Sequence, residues 1–262
     1  MDPGLLAVTS GILSAVCFGA SDFGGGVASK RHDPVVVVLI GQFVGLLVLL
    51  AIIFVREEAL PPALDLAAAA VAGIFGSIGV VRFYAELSRG RMGIVAPLTA
   101  VVTVMIPVLF GAVTEGLPRP NQLIGILLAI FSIWLVTRGA GVGQVTPRDI
   151  ANILLMGFLF SVFMIVIGTI SERSVLWPLV ASRTASLPLL VGVIVLTKRS
   201  SDSLTRGDLP MLSLIGLLDV GGSSFFALAT SFGRLDIAAV LSSLYPAVTA
   251  LLARNILKEE IN

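Results

Sequence analysis

Apolar residues come in long blocks along this chain, separated by short polar punctuation, and the block length predicts the elements. A helix needs about 20 mostly apolar residues to cross a bilayer. Nine blocks meet that requirement, near residues 5–28, 34–55, 64–88, 93–114, 121–138, 150–171, 175–197, 208–232 and 235–257. Loop chemistry separates them: Lys30-Arg31-His32-Asp33-Pro34, Arg56-Glu57-Glu58, Arg89-Gly90-Arg91, Pro118-Arg119-Pro120, and the stretch from Lys198 to Asp208. No connection is long enough to form a separate soluble domain. Strands of a membrane barrel are excluded, because the blocks are about twice the ~10 residues such a strand needs and lack its alternation. Only Asp2 precedes the first block, with no Lys or Arg, so that block reads as a retained helix rather than a signal peptide.

Composition then fixes the solvent. Of 262 residues, 56% are hydrophobic and 13% charged, against the roughly 25% charged residues of soluble domains. With a mean hydropathy of +1.04, the chain cannot cover itself with a hydrated surface, and lipid must be its outer solvent. A net charge of +1 offers no basic face for nucleic acid. The single cysteine, Cys17, excludes an internal disulfide and a cysteine-based metal site. The single histidine, His32, sits in a charged loop and reads as solvated rather than as a ligand. No metal, cofactor or catalytic set is therefore expected. Gly24-Gly25-Gly26 lacks both the G-x-G-x-x-G spacing and the preceding strand of a phosphate loop, which leaves close packing or a hinge.

Sliding the sequence against itself by about 143 residues brings separate landmarks into register. Asp33-Pro34 meets Trp177-Pro178, and Phe83-Tyr84-Ala85 meets Phe225-Phe226-Ala227. Gly90-Arg91-Met92-Gly93-Ile94 meets Gly233-Arg234-Leu235-Asp236-Ile237, and Glu115 meets Glu259. Each match is weak alone; the common offset points to a duplication. Five helices per unit is an odd number, so the second copy enters the membrane inverted, the plan of many secondary transporters. The expected fold is an all-α polytopic membrane bundle of two inverted repeats, residues 1–140 and 148–262. The partner of block 121–138 would begin just after Asn262, so a tenth helix is expected to be missing from this sequence.

Several stretches resemble the drug/metabolite transporter superfamily in its ten-helix EamA branch. They are the opening Ser14-Ala15-Val16-Cys17-Phe18-Gly19-Ala20-Ser21-Asp22-Phe23, the third-helix Phe83-Tyr84-Ala85, Leu241-Ser242-Ser243-Leu244-Tyr245-Pro246, and the closing Leu257-Lys258-Glu259-Glu260. Thr114-Glu115 resembles the first-repeat copy of that close, and Gln122 and Gly125 fit the start of the fifth helix. The chain departs from the pattern at Thr103, which stands where Pro246 sits in the other half. The resemblance implies export or exchange of small metabolites, amino acids or drug-like compounds in a bacterial-type plasma (inner) membrane. It implies a cytoplasmic N-terminus. The loop charges point the other way: Lys30, Arg31, Arg89, Arg91, Arg138, Arg148, Lys198, Arg199, Arg206 and Lys258 share one side, and Arg56, Arg119, Arg173 and Arg234 the other.

Charged groups in spans cost at least ~2.5–3.5 kcal/mol on insertion scales, so they face cavities or one another. Asp219, midway along its span and followed by Gly221-Gly222-Ser223, is the leading pathway candidate, to bind a cation or a proton. An interhelical hydrogen bond is the structural alternative. Arg183 is placed to meet an anionic group or to pair with Asp219, and Gln42 lines the pathway or packs. Arg82 and Glu86, four residues apart, share a helix face and suit an intrahelical pair; Tyr84 lies between them and points elsewhere. Asp22, ahead of the glycines, sits where the helix is expected to fray into water. Ser223 and Tyr245 complete the pathway candidates. Pro97, Pro107, Pro188 and Pro246 are candidate helix kinks. Trp134 and Trp177 are interface anchors.

These residues point to a secondary transporter of a small molecule, with protons as a candidate co-substrate. No nucleotide-binding motif is present to drive it. An intramembrane enzyme would need a convergent nucleophile or acid/base set, which no motif organises. A non-transporting sensor or assembly subunit is the alternative left by sequence.

Overall fold

The computed structural model describes residues 2–56, 58–90, 92–117, 146–198 and 204–257, together with isolated positions between 120 and 131. Among them the chain forms α1 (Pro3–Ala28), α2 (Pro34–Arg56), α3 (Ala63–Leu87), α4 (Met92–Thr114), α5 (Pro147–Ile170), α6 (Leu176–Thr197), α7 (Leu209–Phe232), α8 (Leu235–Ser242) and α9 (Tyr245–Leu252). Together α8, α9 and the π-helical turn Ala253–Leu257 occupy one membrane length, giving eight spans among the described residues. Most of the expected span 121–138, including Gln122, Gly125 and Trp134, lies outside the described residues, as do Lys258, Glu259 and Glu260. Eight membrane-length apolar helices make this an integral multi-pass membrane protein.

Helix boundaries follow local chemistry. Asp2 caps α1 by accepting from the Gly4 amide, with Pro3 at the first helical position. Thr146 and Asp149 form a reciprocal capping box on α5. Gly90 and Gly116, at φ of 77° and 80°, end the turns after α3 and α4 in the left-handed region that glycine occupies without a Cβ clash. Pro97, Pro107 and Pro188 lie inside helices that continue through them. Pro246 does not: the expected span 235–257 breaks at Ser243 and Leu244, and a new helix starts at Tyr245. Proline has no N–H to offer the carbonyl one turn back and disfavours helical backbone in the residue before it.

The fraying expected beyond Asp22 does not occur. Helix α1 continues to Ala28 because the glycines are packing surfaces: Gly25 lies against the Tyr84 ring, and Gly26 against Met92 and Leu87. Close packing of this kind is how small residues hold membrane helices together. It recurs where α3 meets α6, with Gly73 against the Ser182 backbone, and where α7 meets α2, with Gly216 against Gly41.

Two apolar clusters fill the bundle, one toward each end. One gathers Val35, Val37, Val38, Phe83, Leu87, Met156, Leu190, Leu212 and Ile215. The other gathers Leu49, Ile53, Ala69, Ile167, Ile170, Leu179, Val180, Phe226 and Ala229. Helix ends at the second cluster are tied by polar contacts. Glu58 accepts from the Val175 amide at 2.6 Å and from Leu176 at 3.1 Å, and its carbonyl accepts from Trp177 Nε1 at 2.9 Å. Arg173 pairs with Asp65 at 2.9 Å, and Arg234 donates to the Gly116 carbonyl at 2.7 Å. At the opposite end, His32 lies 3.4 Å from Asp208.

Candidate functional site

Between the two clusters, halfway along the helices, the polar residues of the spans meet. Three of the helices pass through one cluster, then the cavity, then the other. On α2 the order is Val38, Gln42, Leu49; on α6 it is Leu179, Arg183, Leu190; on α7 it is Ile215, Asp219, Phe226. The cavity holds about 690 Å³ and is lined by Asp22, Gln42, Ser77, Thr103, Ser182, Arg183, Ser186, Asp219, Ser223 and Tyr245. Phe18, Val80, Phe160, Phe163 and Met164 supply its apolar wall.

An ion pair organises this wall. Arg183 Nη2 lies 2.6 Å from Asp219 Oδ2, joining α6 to α7, and also donates to Ser223 Oγ at 3.2 Å. Asp219 and Ser223 are one turn apart and so present carboxylate and hydroxyl to the same guanidinium. The Ser223 hydroxyl itself donates to the Asp219 carbonyl at 3.0 Å. Arg183 Nε is buried without an acceptor among the described residues. Across the cavity, Ser186 Oγ donates to Gln42 Oε1, joining α6 to α2. Asp22 lines the same space from α1, and no hydrogen bond or ion pair joins it to any described residue. Glycine contacts hold the walls of this space together: Gly73 lets α3 approach α6 at Ser182, and Gly216 lets α7 approach α2 at Gly41.

Tyr84 and Tyr245 sit at the margin. The Tyr84 hydroxyl is 3.2 Å from Ser21 Oγ, which donates to the Ile215 carbonyl at 3.1 Å. With Gln42 and Asp219, Tyr84 lines a smaller adjoining cavity of about 240 Å³. The Tyr245 ring stands edge-on to Phe83, with centroids 6.3 Å apart, and follows directly on the helix break.

Arg82 and Glu86 are placed elsewhere. They line a separate pocket of about 800 Å³ at the helix ends, with Arg89, Arg148, Asp149 and Asn152. Glu86 pairs with Arg89 at 2.7 Å and accepts from Asn152 at 3.5 Å, so the expected Arg82–Glu86 pair is not formed. Spacing of three or four residues permits either arginine; Arg82 is exposed and takes no part. Outside the spans, burial holds the Glu115 carboxyl above its usual range, whereas hydrogen bonds from the Thr205 side chain and amide lower Asp208.

Sequence reasoning missed Ser77, Thr103, Ser182, Ser186 and the three phenylalanines. One signal was available: Gly73, Gly76, Ser77 and Val80 form an i, i+3, i+4, i+7 face of small residues, and Ser182 and Ser186 repeat the four-residue spacing. The phenylalanines carry no signal within an apolar helix.

A solved crystal structure superimposes with a TM-score of 0.75 at 17% sequence identity, covering 95% of this chain and 87% of that one. At this identity the likeness shows the fold. No curated protein matches the chain. The EamA-like transporter family model matches residues 5–138, just over half of the sequence. With membrane-length helices enclosing a polar cavity, the chain belongs to the EamA-like transporter family of the drug/metabolite transporter superfamily.

Proposed function

We propose that this chain is a secondary transporter that exports or exchanges a small metabolite, amino acid or drug-like compound by alternating access. One observation carries the reading: a buried ion pair and a ring of hydroxyls face a cavity enclosed between two apolar clusters. A charged pair halfway along membrane helices is expensive, and ionisable residues placed there facing a cavity characteristically mark a substrate pathway. Parting one cluster would open the cavity to one side while the other stays shut. The 143-residue register supports two inverted repeats as the moving bodies, with the site between them. Its setting is a bacterial-type inner membrane, and it carries no catalytic role. Asp219, Arg183, Gln42, Asp22 and Ser223 are the groups that contact the substrate; Tyr84 and Tyr245 border its path.

The test is uptake into proteoliposomes, screening amino acids, nucleobases and cationic drugs at two pH values. Saturable flux that is lost in Asp219→Asn and Arg183→Ala is the expected result. Folded protein with no flux of any compound would instead favour a sensor or assembly subunit.

A further inference from the structure

The pocket at the helix ends is a second polar space, well away from the central cavity. From α3 it takes Arg82, Glu86 and Arg89, and from α5 it takes Arg148, Asp149 and Asn152. Each set falls on one face of its helix by spacing, so two faces meet as the walls of one groove. Three guanidinium groups share the groove with two carboxylates, and both carboxylates are already engaged. Glu86 accepts from Arg89 at 2.7 Å and from Asn152 at 3.5 Å. Asp149 closes the capping box of α5, accepting from the Thr146 amide at 2.9 Å and its hydroxyl at 2.8 Å. Arg82 and Arg148, both exposed, add one guanidinium from each wall. Among these lining residues the sum is one positive charge in excess, which one monoanion balances.

Depth in the membrane says which monoanion. Helix α3 has 25 residues and so runs about 38 Å, against a hydrocarbon core of about 30 Å. Arg82 lies five residues before its end, about 7 Å down the helix, which places its backbone just inside the hydrocarbon edge. An arginine at that level turns its guanidinium outward to the headgroup layer. Lipid phosphates already occupy that layer. The rest of the groove suits a lipid too. Ala85 and Met156 give it an apolar floor, and Leu155 and Phe158, two to three turns along α5 from Arg148, are exposed for acyl chains to lie against.

We propose that this groove binds the phosphodiester of an anionic phospholipid headgroup, held between Arg82 on α3 and Arg148 on α5. Basic pockets between membrane helices are a recognised way of selecting such headgroups. A zwitterionic lipid brings its own ammonium group and leaves the excess charge unbalanced, so the site discriminates by net charge. Helices α3 and α5 come from different halves of the sequence, and a phosphate between them ties those halves together at this end. The binding chemistry does not depend on the transporter reading.

The experiment uses the purified full chain in detergent, with bound lipids counted by native mass spectrometry and unfolding followed by temperature. Phosphatidylglycerol is titrated against phosphatidylcholine of the same acyl chains, and glycerol phosphate serves as the soluble phosphoester. Wild-type protein is expected to retain one phosphatidylglycerol in preference to phosphatidylcholine and to unfold at a higher temperature with it. Arg82→Gln and Arg148→Gln are each expected to weaken that retention about tenfold, the usual scale for losing a charge-assisted hydrogen bond. Arg173→Gln, a basic residue at the opposite end, is expected to keep it. Equal retention of the two lipids by wild-type protein overturns the proposal without recourse to any variant. Undiminished preference in the double variant Arg82→Gln/Arg148→Gln overturns the placement. Glycerol phosphate that stabilises as well as the lipid overturns the lipid source and assigns the groove to a soluble phosphoester. Lipid retention in protein that shows no flux sinks transport alone, and flux without lipid preference sinks this site alone.

Discussion

Two arginine–carboxylate pairs of nearly equal length sit in very different surroundings. Arg183–Asp219 spans 2.6 Å in the central cavity, where the arginine side chain is 7% exposed. Arg89–Glu86 spans 2.7 Å at the helix ends, where the arginine is 63% exposed. Distance alone would rank them as equals. Burial separates them, because water already solvates Arg89, whereas Arg183 depends on Asp219, Ser223 and whatever enters the cavity. Removing one partner of a buried pair strands the other charge, typically at about 3–5 kcal/mol. An exposed pair is usually worth about 0–1 kcal/mol. The pair inside the cavity is thus a structural strut between α6 and α7.

The sharpest break of that comparison is Asp219→Ala. We expect it to lower stability by about 3–5 kcal/mol, read as thermal unfolding in detergent. The double variant Arg183→Ala/Asp219→Ala should recover much of the loss, since no stranded charge remains. Additive single effects would show that the pair is not coupled.

Gly73→Ala disturbs the same wall without touching charge. Its new methyl would collide with the Ser182 backbone, one residue from Arg183. Overpacking of this kind costs about 1–3 kcal/mol, and transport should fall with the unfolding temperature. An unchanged melting curve would mean that α3 and α6 separate at little cost.

At the helix ends, Glu58→Ala removes the carboxylate that accepts the Val175 and Leu176 amides ahead of α6. We expect about 0.5–2 kcal/mol, the usual range for losing a cap. Arg89→Gln, the counterpart of the first variant, should change stability by no more than about 1 kcal/mol and leave flux intact. A large loss of flux there would move the helix-end pocket into the pathway.

The smallest effect concerns pH. Burial raises the Glu115 carboxyl, so the folded state holds that proton more tightly than the unfolded chain does. The resulting penalty is full above the raised value and vanishes below the ordinary carboxylate range, so stability from this group increases on acidification. Glu115→Gln should flatten that part of the stability–pH curve.

Much of this was legible from residues alone, for identifiable reasons. Membrane helices announce themselves by length, because the bilayer sets one thickness for all of them. Asp219 and Arg183 stood out because charge is rare and costly in such blocks. Glu86 gave the same signal without the same meaning. Whether a charged residue near a helix end looks inward or toward water depends on where that end sits, and Arg89 beside it was within reach as well as Arg82.

The sequence by itself determined the solvent, the spans, the family and a short roster of polar residues, since hydropathy and rare charges are properties of a chain read in one dimension. Only the tertiary structure decided which of those residues meet. Gly73 against Ser182 and Gly216 against Gly41 set how closely the helices approach, and that approach brings Gln42, Ser186, Arg183 and Asp219 to one cavity. The physical reason is that helix rotation and spacing arise from packing between segments over 100 residues apart, a distance no local pattern records.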